Sequence, residues 1–117
     1  MPTITGNFPV RDGAGVHLRV SIGEGRSGRS VAALAGRELA SGAAIDQALG
    51  EGGELRGGAL VVDSVVEAGR AETQWTSATV QLVSGTTARE FTQRQQAASG
   101  KAVRYVFVIT FGSAEDV

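Results

Sequence analysis

The chain contains no cysteine, a single histidine and only two prolines, Pro2 and Pro9, both within its first nine residues. Without cysteine there is no disulfide, no thiolate metal ligand and no sulfur nucleophile. With His17 as the one imidazole, a histidine-rich metal site is excluded and any serine–histidine–acid arrangement has one possible base. No Asp-x-Asp-x-Asp spacing suggests calcium, so neither metal nor cofactor is expected. Positive charge is also in short supply. Eleven Lys and Arg against twelve Asp and Glu leave a net charge of −1, which argues against nucleic acid as a partner, since that affinity comes from many cations on phosphates. No apolar run approaches the ~20 residues of a membrane-spanning helix. The opening "MPTITGNFPV" has neither a basic region nor an apolar one, so no signal peptide is read there. The default location is cytoplasmic, with export left open.

Glycine is abundant. Seventeen glycines in 117 residues, in no low-complexity run, imply many tight turns. The length is that of one domain, 1–117, and 42% hydrophobic with 20% charged residues argues for a packed core rather than disorder.

The periodicity is mostly that of strands. "TITGNFPV" reads as an edge strand, with Pro9 where a missing N–H is tolerated, followed by a turn at Asp12-Gly13. In "VHLRVSIG", Val16, Leu18, Val20 and Ile22 share one face while His17, Arg19 and Ser21 share the other. "SVAAL" and "ELAS" read as a hairpin turned at Ala35-Gly36-Arg37, in preference to a helix that would have to absorb Gly36. "SGAAIDQALG" reads as one or two helical turns, with Ser41 as N-cap and Gly50 as stop. "GALVVDSVVEAG" and "TQWTSATVQLVSG" are strands. The strongest is "AVRYVFVITFG", apolar on both faces, which belongs at the centre of a sheet or under another layer. The polar stretch "TTAREFTQRQQAASGKA" before it reads as a long connection. The expected fold is mostly β: a two-layer sandwich, Ig-like or similar, of about six to eight strands with at most one short helix.

Gly23-x-Gly25-x-x-Gly28 has the spacing of a dinucleotide-binding turn and follows a strand. The long helix and the second parallel strand that the fingerprint requires are missing. Gly-Glu-Gly recurs at 50–52, again followed by an arginine, a glycine and an apolar run, so the tripeptide reads as turn chemistry used twice. Its functional alternative is an anion nest of backbone amides with Arg26 and Arg29.

Trp75, among short polar residues, reads first as a core anchor and second as a stacking platform for a sugar. Asp63 interrupts the apolar "LVVDSVV" and reads as outward-facing together with Glu67. With a distant arginine or His17 it is the only lead toward an enzyme, and no Gly-x-Ser-x-Gly elbow is present. The leading expectation is a non-enzymatic interaction or assembly module, binding a protein partner or its own copies through open β edges such as the N-terminal strand. The alternative is a small-ligand binder, taking an anion at the 23–29 turn or a carbohydrate at Trp75.

Overall fold

A computed structural model describes residues 3–24, 26–68, 73–98 and 100–113. Within them the chain forms nine strands and one helical turn. These are β1 (Thr3–Val10), β2 (Gly15–Ile22), β3 (Ser27–Leu34), β4 (Arg37–Gly42), β5 (Ile45–Glu51), α1 (Gly52–Leu55), β6 (Ala59–Glu67), β7 (Thr73–Ser84), β8 (Thr87–Ala98) and β9 (Ala102–Ser113). They make a sandwich of a five-stranded sheet, order β1-β9-β6-β3-β4, and a four-stranded sheet, order β5-β2-β7-β8. Neighbours are antiparallel except the first and last strands, which run parallel from Thr3 opposite Val106 to Val10 opposite Ser113.

The alternating apolar residues fill the space between the sheets. Val16, Leu18 and Val20 of β2 face Leu60, Val62 and Val66 of β6, with Tyr105, Phe107, Ile109 and Phe111 of β9, all buried. Phe8 of β1 meets Phe111 edge-on, centroids 6.5 Å apart at 85°, the arrangement favoured by the ring quadrupoles. Two polar ties lie in this core, one between neighbouring strands of the five-stranded sheet and one across to the other sheet. The Ser30 and Ser64 hydroxyls lie 2.7 Å apart and satisfy each other. The Tyr105 hydroxyl donates to the Thr76 carbonyl in the opposite sheet (3.1 Å) and sits 2.6 Å from Thr76 Oγ1, which itself donates to the Gln95 carbonyl (2.8 Å). Both ties remove the penalty of burying a hydroxyl without a partner.

The sandwich, the edge position of β1 and the central position of β9 agree with the sequence reading. So does the β3–β4 hairpin, whose two-residue turn places Ala35 at φ 52° and Gly36 at φ 81°, the left-handed pair that matches strand twist. Two stretches differ, which takes the strand total to nine. Residues 41–50 are not helical: Ile45–Glu51 is β5, paired along β2. A helix of ten residues bounded by glycines is marginal alone, whereas the open side of β2 supplies a ladder. The helical turn falls later, at Gly52–Leu55, where the Glu51 side chain caps it by accepting from the Glu54 amide (3.0 Å).

The second difference is the polar stretch before β9, which is no loose connection. It is β8, paired with β7 over twelve residues. A two-residue turn, Gly85-Thr86, sets that register, and a strand with one wet face needs few apolar residues: on the inward face of β8 the apolar ones are Phe91 and Ala97. Phe91 packs where β1 has Gly6, and a Cβ there would overlap the ring.

Candidate functional site

β2 belongs to one sheet and β3 to the other, so the turn between them crosses the end of the sandwich. The Gly23 amide donates to the Ser77 carbonyl (3.0 Å), and a Cβ at Gly23 would overlap the Ser77 hydroxyl. The left-handed conformation in this turn falls on Glu24, φ 60°, an uncommon place for a side chain of that size. That conformation delivers its carboxylate to β8, where Oε1 accepts from Arg94 Nε at 2.8 Å. The Arg94 guanidinium lies over the Trp75 ring, 4.0 Å from the centroid, a cation–π contact. Arg26 Nε donates to the Trp75 carbonyl (3.1 Å). Three residues, two from the turn and one from β8, thus gather around the exposed Trp75.

Trp75 is 40% exposed and is not a core anchor. Strand parity gives the reason: Thr76, Ala78, Val80 and Leu82 of β7 point inward, so Trp75 points outward, opposite Gln96. Arg26 and Arg29 engage different strands. Arg29 stands on the outer face of β3 opposite Val65 and donates to Ser41 Oγ on β4 (2.9 Å). Gly25 lies outside the described residues, as do the carboxylates Glu72, Glu115 and Asp116 that the sequence offers.

The two Gly-Glu-Gly copies do different work, which corrects the reading of one device used twice. The first stitches the 23–26 turn to β7 and β8. The second ends β5 and opens α1, with the Gly52 amide donating to the Ala14 carbonyl (2.9 Å).

The remaining candidates sit in surface ion pairs. Asp63 and Glu67 face outward from β6, as expected, and Asp63 takes Arg104 of β9 in a forked pair, with Nε at 2.8 Å from Oδ1 and 3.0 Å from Oδ2 and a further contact from the terminal nitrogen. Hydrogen bonding and charge from Asp63 hold the Arg104 guanidinium even more firmly protonated than usual. On the outer face of the other sheet, His17 Nε2 pairs with Asp46 Oδ1 and Arg19 Nε stands 3.5 Å from Oδ2. The hydrogen bond from His17 holds the Asp46 carboxyl below its usual range, aided by the charges of His17 and Arg19 and opposed by partial desolvation.

Shallow clefts flank these groups. One of about 530 Å³ lies beside Arg19, Asp46, Thr79, Gln81 and Glu90; another, of about 470 Å³, lies between Pro9, Arg11, Ala14 and the β7–β8 turn. Among the described residues no group of three or more His, Asp or Glu is placed to hold a metal ion, and no helix is long and apolar enough to cross a membrane.

Four strands lie at sheet edges, and they are not alike. β4 and β5 each carry one extra residue against their partners, Leu39 and Leu49, where the register shifts. Such bulges twist an edge away from further pairing. On β1 the Asn7 carbonyl is already taken by Arg89 of β8 (2.9 Å). β8 is different: twelve residues, no proline and an unbroken register from Thr87 opposite Ser84 to Ala98 opposite Thr73. Sequence reasoning missed Glu24, Arg94 and this edge. The available signal was Gly85-Thr86, a two-residue hairpin turn directly after a Thr- and Val-rich strand.

No protein-family model, curated protein or solved structure matches this chain.

Proposed function

We propose that this domain is a non-catalytic interaction module that binds protein, its own copies included, by adding a strand along β8. The observation that carries the reading is the state of the four edges. Three are bulged or bridged, and the longest is left straight. A two-residue turn makes Ser84 and Thr87 a hydrogen-bonded pair. Alternation from there directs the N–H and C=O groups of Ala88, Glu90, Thr92, Arg94 and Gln96 away from β7. That row is a template for an extended segment, in which main-chain bonds supply affinity and side chains supply choice. The ionisable groups that suggested an enzyme support the same reading, because Asp63 and His17 are each committed to a surface partner.

Thr92→Pro tests it. The substitution removes an amide directed away from β7 and leaves the β7–β8 ladder in place. Sedimentation of the wild type should show association that rises with concentration, and the variant should lose the part of it that runs through the β8 edge, with its circular dichroism unchanged. A wild type that stays monomeric up to millimolar chain and takes up no extended peptide defeats the proposal.

Trp75 favours a second reading, carbohydrate binding, because its indole is exposed and held from one side by Arg94. It is the only tryptophan in the chain, so its fluorescence reports directly on this position. Titration with oligosaccharides should change the emission of the wild type, and an unchanged spectrum across neutral and acidic sugars removes this reading.

A further inference from the structure

The outer faces of the two sheets differ in kind. On the four-stranded sheet the outer face is polar over its middle, with His17, Arg19, Asp46, Thr79 and Glu90, and bears Trp75 at one end. On the five-stranded sheet it is not. Ala33, Val61 and Val108 stand side by side across β3, β6 and β9, and the next row is Val31, Asp63 and Val106. Val65 follows, between Arg29 and Arg104. Val61 and Val65 are 38% and 39% exposed, two of the three large hydrophobics that stand out at the surface of the described residues. Strands apolar on both faces ordinarily lie between two layers, and among the described residues only the inner face has one.

We infer that the outer face of the β1-β9-β6-β3-β4 sheet is a face-to-face dimer interface, and that its occupant is a second copy of this chain. Three observations select a copy of itself. First, the face carries both signs, and on the strands that bear the valines they match: Asp63 and Glu67 against Arg29 and Arg104, with Glu38 of β4 at the rim. Asp63 and Arg104 already pair within one copy, and a two-fold axis through the patch sets that pair against its mate, so that each carboxylate meets a second guanidinium, reciprocally by symmetry. Second, the size fits. Five strands about 4.8 Å apart, over eight residues at about 3.4 Å, give a face of roughly 650 Å². Stable interfaces use about 800 Å² per partner, and pairs burying more than about 1,000 Å² in total are of biological scale. Third, the net charge of −1 sets up little repulsion between copies. Two sheets packed this way form a central layer like that of a sandwich. The contact shares no residue with the β8 edge, so either can fail while the other stands.

The test is a charge-reversal pair. Asp63→Arg replaces the central ion pair with two positive charges, and Arg104→Asp replaces it with two negative ones. Both sites are on the surface, so folding is checked by circular dichroism and is expected to hold. Each variant alone should dimerise at least about tenfold more weakly than the wild type, because like charges then meet across the interface. An equimolar mixture should recover the dimer mass in sedimentation equilibrium, as a heterodimer. Thr92→Pro, which touches only the edge, should leave this dimer intact. The inference is overturned by a wild type that is monomeric up to millimolar chain. It is equally overturned if Asp63→Arg and Arg104→Asp each associate as strongly as the wild type. Should Thr92→Pro then abolish the association, the edge reading survives without this one.

Discussion

Gly6 sits in the one position of β1 that faces the Phe91 ring. Its missing side chain lets the edges of the two sheets close over each other. Gly6→Ala should therefore cost about 1–3 kcal/mol, the usual cost of overpacking a filled site, read as a lower denaturant midpoint at unchanged slope. At the same scale, Asp46 is held below the usual carboxylate range mainly by the hydrogen bond from His17. A depressed carboxyl contributes stability above its unfolded value of about 3.9 and loses it as pH falls through the lower folded value. The stability that the Asp46 carboxylate contributes is thus present at neutral pH and lost only in acid. In His17→Ala the Asp46 carboxyl carbon should titrate at a higher pH than in the wild type, as followed by NMR. Residue identity alone did not reveal either role. His17 reads as a polar-face histidine in the sequence, which it is, but its partner lies 29 residues away on a segment that reads as helix. Trp75 shows the same limit: hydrophobicity puts it inside, and the parity of β7 puts it outside.

At the scale of elements, strands whose alternation is strong stand where their pattern implies. β2 buries the face that the sequence marks, β6 turns Asp63 and Glu67 outward, β9 with two apolar faces stands inside its sheet, and the β3–β4 hairpin turns at the glycine that the sequence offers. β5 and β8 fail as sequence patterns because neither is held mainly by its own apolar face. β5 exists because β2 has an open ladder, and β8 because the Gly85-Thr86 turn folds it back on β7. The polar tie between sheets belongs to this scale too. Tyr105→Phe removes the hydroxyl that reaches across to Thr76 but leaves Thr76 Oγ1 donating to the Gln95 carbonyl. With that partner kept, the loss should be near 1 kcal/mol, the net value of one hydrogen bond, measured by chemical denaturation. A loss of several kcal/mol would show that the tie holds the sheets in register rather than merely satisfying a hydroxyl.

Across the whole molecule, the two ends of the chain are joined by the parallel pairing of β1 with β9. That pairing joins residues about a hundred apart in sequence, so folding should be slow, on the order of milliseconds to seconds, as for other folds dominated by distant strand pairs. Stopped-flow refolding checks this. A chain stopped after Gly100 lacks β9, which separates β1 from β6 at the centre of its sheet. It should show no cooperative unfolding transition. The sequence by itself determined the class of the fold: mostly β, turned by glycine, without thiols and without a histidine cluster. These are properties of composition and of a period of two, both local. Strand order, the straight β8 edge, the exposed Trp75 and the valine-bearing outer face were decided only by tertiary structure. Each depends on which strand lies beside which, and pairing across the chain leaves no mark in the local pattern.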